Sequence, residues 1–311
     1  MTSTRPDRRV RWTLARELAS LHDGVVDRAT LRRAGIDRAA VRTEVRAGRW
    51  LTHGRHTVSV TTSPLTGRAP LWQAVWESGS GAALDGAAAL LAAGMRGFAP
   101  RAIDVSQPRN NRHHAVAGVR LHRRAVMPPL AGAGLPRVVP EVAAVHAALW
   151  ARSDREAALI LCLVVQQRLT TTERLLVAWR SARSAGPRRP FLADAVTDIC
   201  DGAQALGELD FARLCRREGL PPPTRQVVRH GRNGRIYLDA AWGAIGLVVE
   251  IDGGHHQWAL NPVEDALRQN DVVVAGEVML RVPLLGLRLE AKRFLRQVAV
   301  AYALLSGRRT A

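Results

Sequence analysis

The 311-residue sequence predicts a multidomain α/β protein, and three observations along the chain support this fold class. Residues 1–62 contain short helical segments followed by a predicted hairpin. Residues 63–200 mix strand-like alternation with apolar helices, and residues 201–311 contain strand-like runs joined by glycine-rich turns. A chain of this length is itself typical of two or three domains.

The charge balance of the chain favours a polyanionic partner. The sequence has 45 Lys and Arg against 27 Asp and Glu, a net charge of +18, and Lys292 is its only lysine. Basic side chains gain affinity for nucleic acid by releasing counterions from phosphates. A GC-rich genome would explain the use of arginine over lysine, but not the excess of bases over acids. We therefore expect nucleic acid among the partners.

Cysteine spacing and hydropathy exclude several classes of protein. Cys162, Cys200 and Cys215 are scattered without CxxC spacing, which argues against a disulfide framework or a zinc site. The N-terminus, MTSTRPDRRVRW, has no apolar run behind its arginines, and no apolar stretch reaches membrane-spanning length. These features predict a soluble, cytoplasmic protein without a membrane partner.

The first 62 residues predict a basic tail over residues 1–12 and then three helices. Asp27 and Asp37 are suited to cap the second helix, RATLRRAG, and the third helix, RAAVRTEVRAG. Gly35 and Gly48 are suited to end them. The apolar face of the first helix is formed by Leu14, Leu18 and Leu21.

The stretch RWLTHGRHTVSV predicts two short strands around a tight turn, so three helices and a hairpin follow in the order of a winged helix-turn-helix. Val41 and Val45 of the third helix are expected to face the core. The arginines expected to contact DNA are Arg38, Arg42, Arg46 and Arg49 along the third helix and Arg55 at the hairpin tip. The alternative is a small helical cap whose arginines are only solvated.

The segment from LARELASLHDG to RHTVSV also resembles the N-terminal domain of AbiEi-type antitoxins, the repressor partners in a class of bacterial toxin–antitoxin systems. The similarity lies in the pattern and order of the elements. It implies a domain that binds operator DNA, with a cognate toxin as a further partner. Because winged-helix repressors often dimerise on palindromic sites, the resemblance is also compatible with a homodimer.

Residues 63–200 predict a mixed α/β segment followed by a helical connector. Within the mixed segment, AIDVSQP and GVRLHRRAV alternate like the strands of a hairpin. The polar loop between them either contacts nucleic acid or is an exposed turn. Its basic residues are Arg109, Arg112, His113 and His114.

Residues 201–311 contain the strongest functional signal. Three strand-like runs, TRQVVRH, RIYLDAA and LVVEIDG, predict an antiparallel meander, and VMLRVPLL predicts a further strand. Glu250 and Asp252 are two residues apart in one strand and so share a face. The short turn before that strand brings Asp239 close to Glu250.

Three carboxylates near one point repel one another and require a cation, a shared proton or nearby arginines. An oxygen-rich site of this kind suits Mg²⁺ or Mn²⁺. A metal bound there would lower the pKa of a water molecule and stabilise charge on a phosphate. The alternative is that Asp239, Glu250 and Asp252 form a structural polar patch.

The same residues resemble a known family. The order of a helix, a strand with Asp, a strand with ExD, then Gly-Gly-His-His and a helix with D-x-x-R-x-N is similar to the Vsr-like (very-short-patch-repair) branch of the PD-(D/E)XK nucleases. The resemblance implies a restriction-endonuclease-like α/β fold. It implies metal binding by Asp239 and Glu250, with Asp252 where most of the superfamily has lysine.

Further roles follow only from that resemblance. It assigns a helix acid of the site to Glu208 and an acid/base near the scissile phosphate to His255 or His256. It assigns a supporting pair to Asp265 and Arg268. The Vsr-like branch also lacks the lysine, so Asp252 does not exclude activity.

Two functions are therefore predicted. The first is a DNA-binding, Mg²⁺- or Mn²⁺-dependent endonuclease, which the carboxylate triad favours. The second is a non-enzymatic antitoxin-like repressor with an inactive nuclease fold, which the missing lysine and the N-terminal resemblance favour.

Overall fold

The computed structural model describes residues 7–111, 115–182, 186–200, 211–230, 236–252 and 278–309. The chain divides into two compact units, Met1–His146 and Ala147–Ala311. The described residues form eleven α-helices and three small β-sheets, so the predicted α/β class is confirmed. None of these helices is both long enough and apolar enough to cross a bilayer.

The first unit begins with three helices and a hairpin, in the predicted order. The elements are α1 (Arg8–Ser20), β1 (Val25–Asp27), α2 (Arg28–Arg33), α3 (Arg38–Arg46), β2 (Leu51–Thr52) and β3 (Thr57–Ser59). The strands form an antiparallel sheet in the order β1-β3-β2. β3 therefore lies between β1 and its own hairpin partner.

Local sequence signals explain the bounds of α2 and α3. The Asp27 side chain accepts hydrogen bonds from Ala29 N and Thr30 N, and Asp37 accepts one from Ala40 N, as predicted for N-caps. Gly35 and Gly48 follow these helices with φ of +80° and +66°. Glycine adopts this left-handed backbone without a Cβ clash, which is why both helices end where the sequence predicted.

The core of this part confirms one prediction and corrects another. Val41 is buried and Val45 packs against the same cluster, which includes Leu31, Trp50 and Val58. Leu14 and Leu18 pack there as predicted, but Leu21 is 72% exposed. Because α1 ends at Ser20, Leu21 falls outside the helical face, and Ala15 and Ala19 are buried instead. α1 also begins at Arg8, within the stretch predicted as a tail.

The rest of the first unit is an α/β segment. Its elements are α4 (Ala69–Glu77), β4 (Ala83–Leu84), α5 (Gly86–Ala92), β5 (Ile103–Pro108) and β6 (Val119–Arg124). The predicted β5–β6 hairpin is wrong, because the two strands are parallel in the sheet order β4-β5-β6. The parallel register sets Arg120 directly opposite Asp104, and the two side chains form an ion pair. Arg112, His113 and His114 of the intervening loop lie outside the described residues.

The second unit begins in a helical region, as predicted for the connector, and continues into a sheet. The helices are α6 (Pro140–Trp150), α7 (Asp154–Gln166), α8 (Thr172–Ser181), α9 (Arg189–Cys200), α10 (Phe211–Arg217) and α11 (Leu284–Arg309). Only the last residues of α6 belong to this unit. Non-helical torsion angles at Glu290 interrupt α11. The strands are β7 (Arg225–His230), β8 (Ile236–Trp242), β9 (Leu247–Asp252) and β10 (Val278–Pro283).

These strands form one mixed sheet in the order β10-β9-β8-β7. β7, β8 and β9 are antiparallel, as the predicted meander requires, and β10 is parallel to β9. Leu247, Val249 and Ile251 alternate along β9 and are fully buried in a cluster with residues of α10 and α11. The intervening positions 248, 250 and 252 therefore belong to the opposite face.

The buried cysteines of the second unit are inert core residues. Burial raises the pKa of Cys162 to about 12 and that of Cys215 to about 12. A thiol with so high a pKa holds almost no thiolate at neutral pH, so neither residue is a reactive nucleophile.

Candidate functional site

Three of the predicted DNA-contacting arginines form a stripe along α3. Arg38, Arg42 and Arg46 are exposed and recur every four residues, whereas Ala40 and Val41 are buried on the other side of the helix. Residues four apart lie on one helical face, so the three guanidinium groups extend over about 12 Å of the helix axis. This stripe is a basic surface built on a packed helix.

Arg49 does not continue this stripe. α3 ends at Arg46, and the positive φ of Gly48 turns the chain away from the helix axis. The Arg49 Nε instead donates to Glu44 Oε2 at 2.6 Å, and this bond raises the pKa of Arg49. Glu44 is only 3% exposed, so Arg49 compensates a buried carboxylate. Its predicted helical placement is corrected.

Arg55 lies exposed at the tip of the β2–β3 hairpin, as predicted. Its backbone N–H donates to Glu77 Oε2 at 2.8 Å, and the backbone N–H groups of His56 and Thr57 each donate to Glu77 Oε1 at 2.8 Å. The Gln73 side chain donates to the carbonyl of His53. The hairpin tip is therefore bound by two side chains of α4, neither of which the sequence predicted.

Arg28, the first residue of α2, is bound to the hairpin and lies near the charge of Arg38 on α3. Its backbone N–H donates to the carbonyl of His56 at 2.8 Å. Burial and the charge of Arg38 lower the pKa of the Arg28 guanidinium, although the carboxylate of Glu77 opposes the shift. Arg28 was not among the predicted residues; its place directly after the N-cap Asp27 was the available signal.

In the second unit, the backbone register brings two of the predicted acids together. Residue 239 on β8 is directly opposite Glu250 on β9, and Tyr237 is opposite Asp252. Directly opposed residues of an antiparallel pair share a face of the sheet, with Cβ atoms about 5 Å apart. The predicted proximity of positions 239 and 250 is therefore present in the sheet.

Glu250 also has a basic neighbour on its other side. Arg281 of β10 is its register partner, and Arg281 Nε lies 3.6 Å from Glu250 Oε2. Glu250 is 1% exposed. A nearby arginine is one of the stabilising partners that a group of carboxylates requires. Arg281 was not among the predicted site residues, because β10 is separated from β9 along the chain.

The donor types fit a hard divalent cation. Asp239, Glu250 and Asp252 would supply the oxygen ligands that Mg²⁺ and Mn²⁺ prefer, and the register places two of them opposite each other. Among the side chains that the structure describes, which do not include those of Asp239 and Asp252, no group of three or more His, Cys, Asp or Glu could hold a metal ion. Five predicted site residues lie outside the described residues: Glu208, His255, His256, Asp265 and Arg268.

A buried polar network in the first unit was not predicted. The carboxylate of Asp85 is fully buried, caps α5 through Gly86 N, and accepts hydrogen bonds from Ser106 and from His146 Nδ1 at 2.9 Å. Burial acts to raise the pKa of Asp85, but the hydrogen bond and charge of His146, with bonds from Ser106 and Gly86, hold that pKa below its usual value. The donors from Gly86, Ser106 and His146 all bind the same buried carboxylate. We therefore interpret these contacts as a structural network.

A second buried acid lies beside it. Asp104 is 2% exposed and receives two bonds from the Arg120 guanidinium, at 2.6 and 3.0 Å, and one contact from His122 Nε2 at 2.7 Å. These contacts join β5 to β6. They account for Arg120 and His122 of β6 without a ligand.

No model of a known protein family matches the chain, and no curated protein matches it. We therefore infer function from the residues and contacts of the two units.

Proposed function

We propose that this chain binds double-stranded DNA through α3 and the β2–β3 hairpin. The observation that carries the proposal is the element order α1-β1-α2-α3-β2-β3 with sheet order β1-β3-β2, combined with the exposed arginine stripe of α3. This order is that of a winged helix-turn-helix, in which the helix before the hairpin enters the major groove.

The chemistry of the stripe supports this proposal. Arg38, Arg42 and Arg46 present planar guanidinium groups, which bind phosphates and the O6 and N7 acceptors of guanine. Arg55 extends from the hairpin toward the flanking minor groove or its phosphates. The net charge of +18 supplies the long-range attraction that steers DNA to this surface.

We also propose that the β8–β9 face of the second unit is a metal-dependent phosphodiesterase site. The supporting observation is the register of residue 239 opposite Glu250. Asp239 and Glu250 would hold Mg²⁺ or Mn²⁺, with Asp252 beside them. An ion held there would lower the pKa of the attacking water and would neutralise charge on the phosphate. Arg281 adds positive charge next to Glu250. The resemblance to the Vsr-like nucleases implies that His255 or His256 would transfer the proton.

A specific observation also favours the second candidate function. Glu250 is buried and already has the guanidinium of Arg281 at ion-pair distance, which is how a purely structural carboxylate is stabilised. In that case the protein is a DNA-binding repressor of the antitoxin type, with a cognate toxin and a second copy of the chain as partners.

Conservative variants of the two acids separate these functions. We expect wild type to nick supercoiled plasmid in Mg²⁺ or Mn²⁺, and Asp239→Asn and Glu250→Gln to reduce nicking at least about 100-fold. Their affinity for a DNA duplex should stay within about twofold of wild type, because α3 and the hairpin lie in the other unit. Asp154→Asn, an exposed acid of the second unit, is the matched control.

Three results bear on the proposal. Wild type that binds DNA but never nicks it supports the repressor. Variants that bind and nick like wild type make the acids structural. A melting temperature that rises with Mn²⁺ in wild type but not in Glu250→Gln supports metal binding directly.

A further inference from the structure

The tip of the β2–β3 hairpin is built around a carboxylate from another element. Glu77 ends α4 and is 7% exposed. It accepts from three consecutive backbone N–H groups, those of Arg55, His56 and Thr57, and from the Thr57 hydroxyl, all at 2.8 Å. Hydrogen bonds to an ionised acceptor are about twice as strong as neutral ones, so this contact is a strong constraint on the tip.

Gly54 shows how closely the carboxylate approaches the tip. Its φ is +139°, a backbone conformation that side chains with a Cβ rarely adopt. A Cβ at this position would lie 2.5 Å from both Cδ and Oε2 of Glu77. The turn and the carboxylate therefore fit together only because residue 54 is glycine.

Two more contacts hold the same tip. The Gln73 side chain donates to the carbonyl of His53, and Arg28 N donates to the carbonyl of His56. The backbone on both sides of Arg55 is thus tied to α4 and to the start of α2. The Arg55 side chain remains exposed at the surface.

A hairpin tip that projects into solvent must be ordered when DNA binds, and this ordering reduces affinity. Here the ordering is already present in the protein. The Glu77 carboxylate is 7% exposed, and its charge is compensated by the amide and hydroxyl donors of the tip itself. The arrangement therefore combines a buried acid that fixes the backbone of the tip with an exposed arginine at the same tip.

We infer that Glu77 is the positioning residue for Arg55, and that Arg55 contacts the DNA phosphates or minor-groove edge beside the groove that α3 occupies. This inference depends on the proposed DNA binding. Beyond DNA binding itself, the inference states that the contribution of Arg55 to affinity requires the carboxylate of Glu77. That residue belongs to α4, which lies outside the segment of three helices. Glu77 itself does not contact DNA.

A double-mutant cycle tests the inference. The full chain is prepared as wild type, Arg55→Ala, Glu77→Gln and the double variant, and affinity for a DNA duplex is measured by fluorescence anisotropy. We expect Arg55→Ala to weaken binding about tenfold in the wild-type background and less than about threefold in the Glu77→Gln background. Arg42→Ala is the matched control, since its fold-change should be the same in both backgrounds.

Amide hydrogen exchange of the protein without DNA tests separately whether Glu77 holds the backbone of the hairpin tip. We expect the Arg55, His56 and Thr57 amides to be protected in wild type and to exchange at least about tenfold faster in Glu77→Gln. Gln73→Leu removes only the bond to His53, so it provides a milder variant if Glu77→Gln does not fold. Gln73→Leu should also reduce the loss of DNA affinity that Arg55→Ala causes.

The outcomes are distinct. If Arg42→Ala weakens DNA binding but Arg55→Ala reduces affinity by the same factor in both backgrounds, the inference is overturned and the proposed DNA binding stands. If wild type does not bind DNA, the proposed function fails and the inference fails with it. If neither Arg42→Ala nor Arg55→Ala changes DNA affinity in the Glu77→Gln background, that background is generally unfolded. This result overturns a specific positioning role for Glu77.

Discussion

At the scale of single residues, five buried carboxylates are compensated by donors from outside their own helix or strand. Burial of an unpaired charge costs several kcal/mol, so each acid requires such a partner. Except for Arg49, which is five residues from Glu44, the partner is distant in sequence, and such a pair also constrains how two elements meet. The pairs are Glu44 with Arg49, Glu77 with the hairpin amides, Asp85 with His146, Asp104 with Arg120, and Glu250 with Arg281.

We expect Asp85→Asn to lower the free energy of unfolding by about 3 kcal/mol at pH 7, because it removes the charge that His146 and Arg124 face. The folded-state pKa of Asp85 is depressed, so its contribution is complete above about pH 4, the ordinary value, and is lost as the pH falls through the folded-state pKa. Thermal unfolding by circular dichroism at several pH values measures this difference.

The control for this prediction is Asp154→Asn, an exposed acid paired with Arg188, which should cost less than about 1 kcal/mol. The difference between wild type and Asp85→Asn should shrink toward pH 2. A difference that is constant with pH would show that the ionised form of Asp85 is not what stabilises the fold.

At the scale of elements, the hairpin shows a contact that cannot be placed from local sequence. The turn around Gly54 was predicted from composition, but its conformation depends on Glu77, which is 22 residues beyond Arg55 along the chain. By contrast, the ends of α2 and α3 depend on residues next to each helix, Asp27 and Asp37 at the start and Gly35 and Gly48 at the end. Those ends were predicted correctly.

Two glycines with positive φ, +139° at Gly54 and +66° at Gly48, test the Glu77 contact at this scale. We expect Gly54→Ala to lower the free energy of unfolding by about 3 kcal/mol, through the strained φ and the close contact with the Glu77 carboxylate. Gly48→Ala, where a Cβ meets nothing within 4 Å, should cost only about 1 kcal/mol for the left-handed backbone. Urea unfolding of both variants measures the difference; equal costs would mean that the carboxylate does not crowd the tip.

At the scale of the whole molecule, the charge is large but its effect on DNA binding should be local. Many exposed arginines attract DNA from a distance, yet only those at the interface release counterions when the complex forms. The α3 stripe should therefore govern the salt dependence of binding more than arginines of the second unit do.

We expect the triple variant Arg38→Ala, Arg42→Ala and Arg46→Ala to reduce the slope of log affinity against log salt by roughly 2 to 3, since each phosphate contact contributes about 0.9. Alanine favours helix, so α3 should be retained. The control removes the same charge elsewhere, at exposed Arg155, Arg174 and Arg180 of the second unit, and should leave the slope within about 1 of wild type. Equal changes in both variants would place the DNA interface outside α3. Anisotropy titrations between 0.05 and 0.3 M salt, as rough limits, give the slopes.

The carboxylate site shows how far sequence reasoning extended. Alternation placed Glu250 and Asp252 on one face, and a short turn predicted the neighbour of Glu250 at position 239, which the register confirms. The parallel β10 with Arg281 was not foreseen as a neighbour of Glu250, because no local pattern states which strand pairs with β9. The direction of β6 was predicted wrongly for the same reason.

The sequence by itself determined the α/β class, the helix caps, the three helices and hairpin of the first unit, the exposed α3 arginines and the antiparallel meander of the second. All of these depend on residues close together in the chain, where backbone geometry and period decide the outcome. Only the tertiary structure decided that Glu77 binds the hairpin tip and that Arg49 and Arg281 form ion pairs with Glu44 and Glu250, respectively. Such contacts depend on the packing of whole elements, because a buried carboxylate takes whichever donor the fold brings beside it.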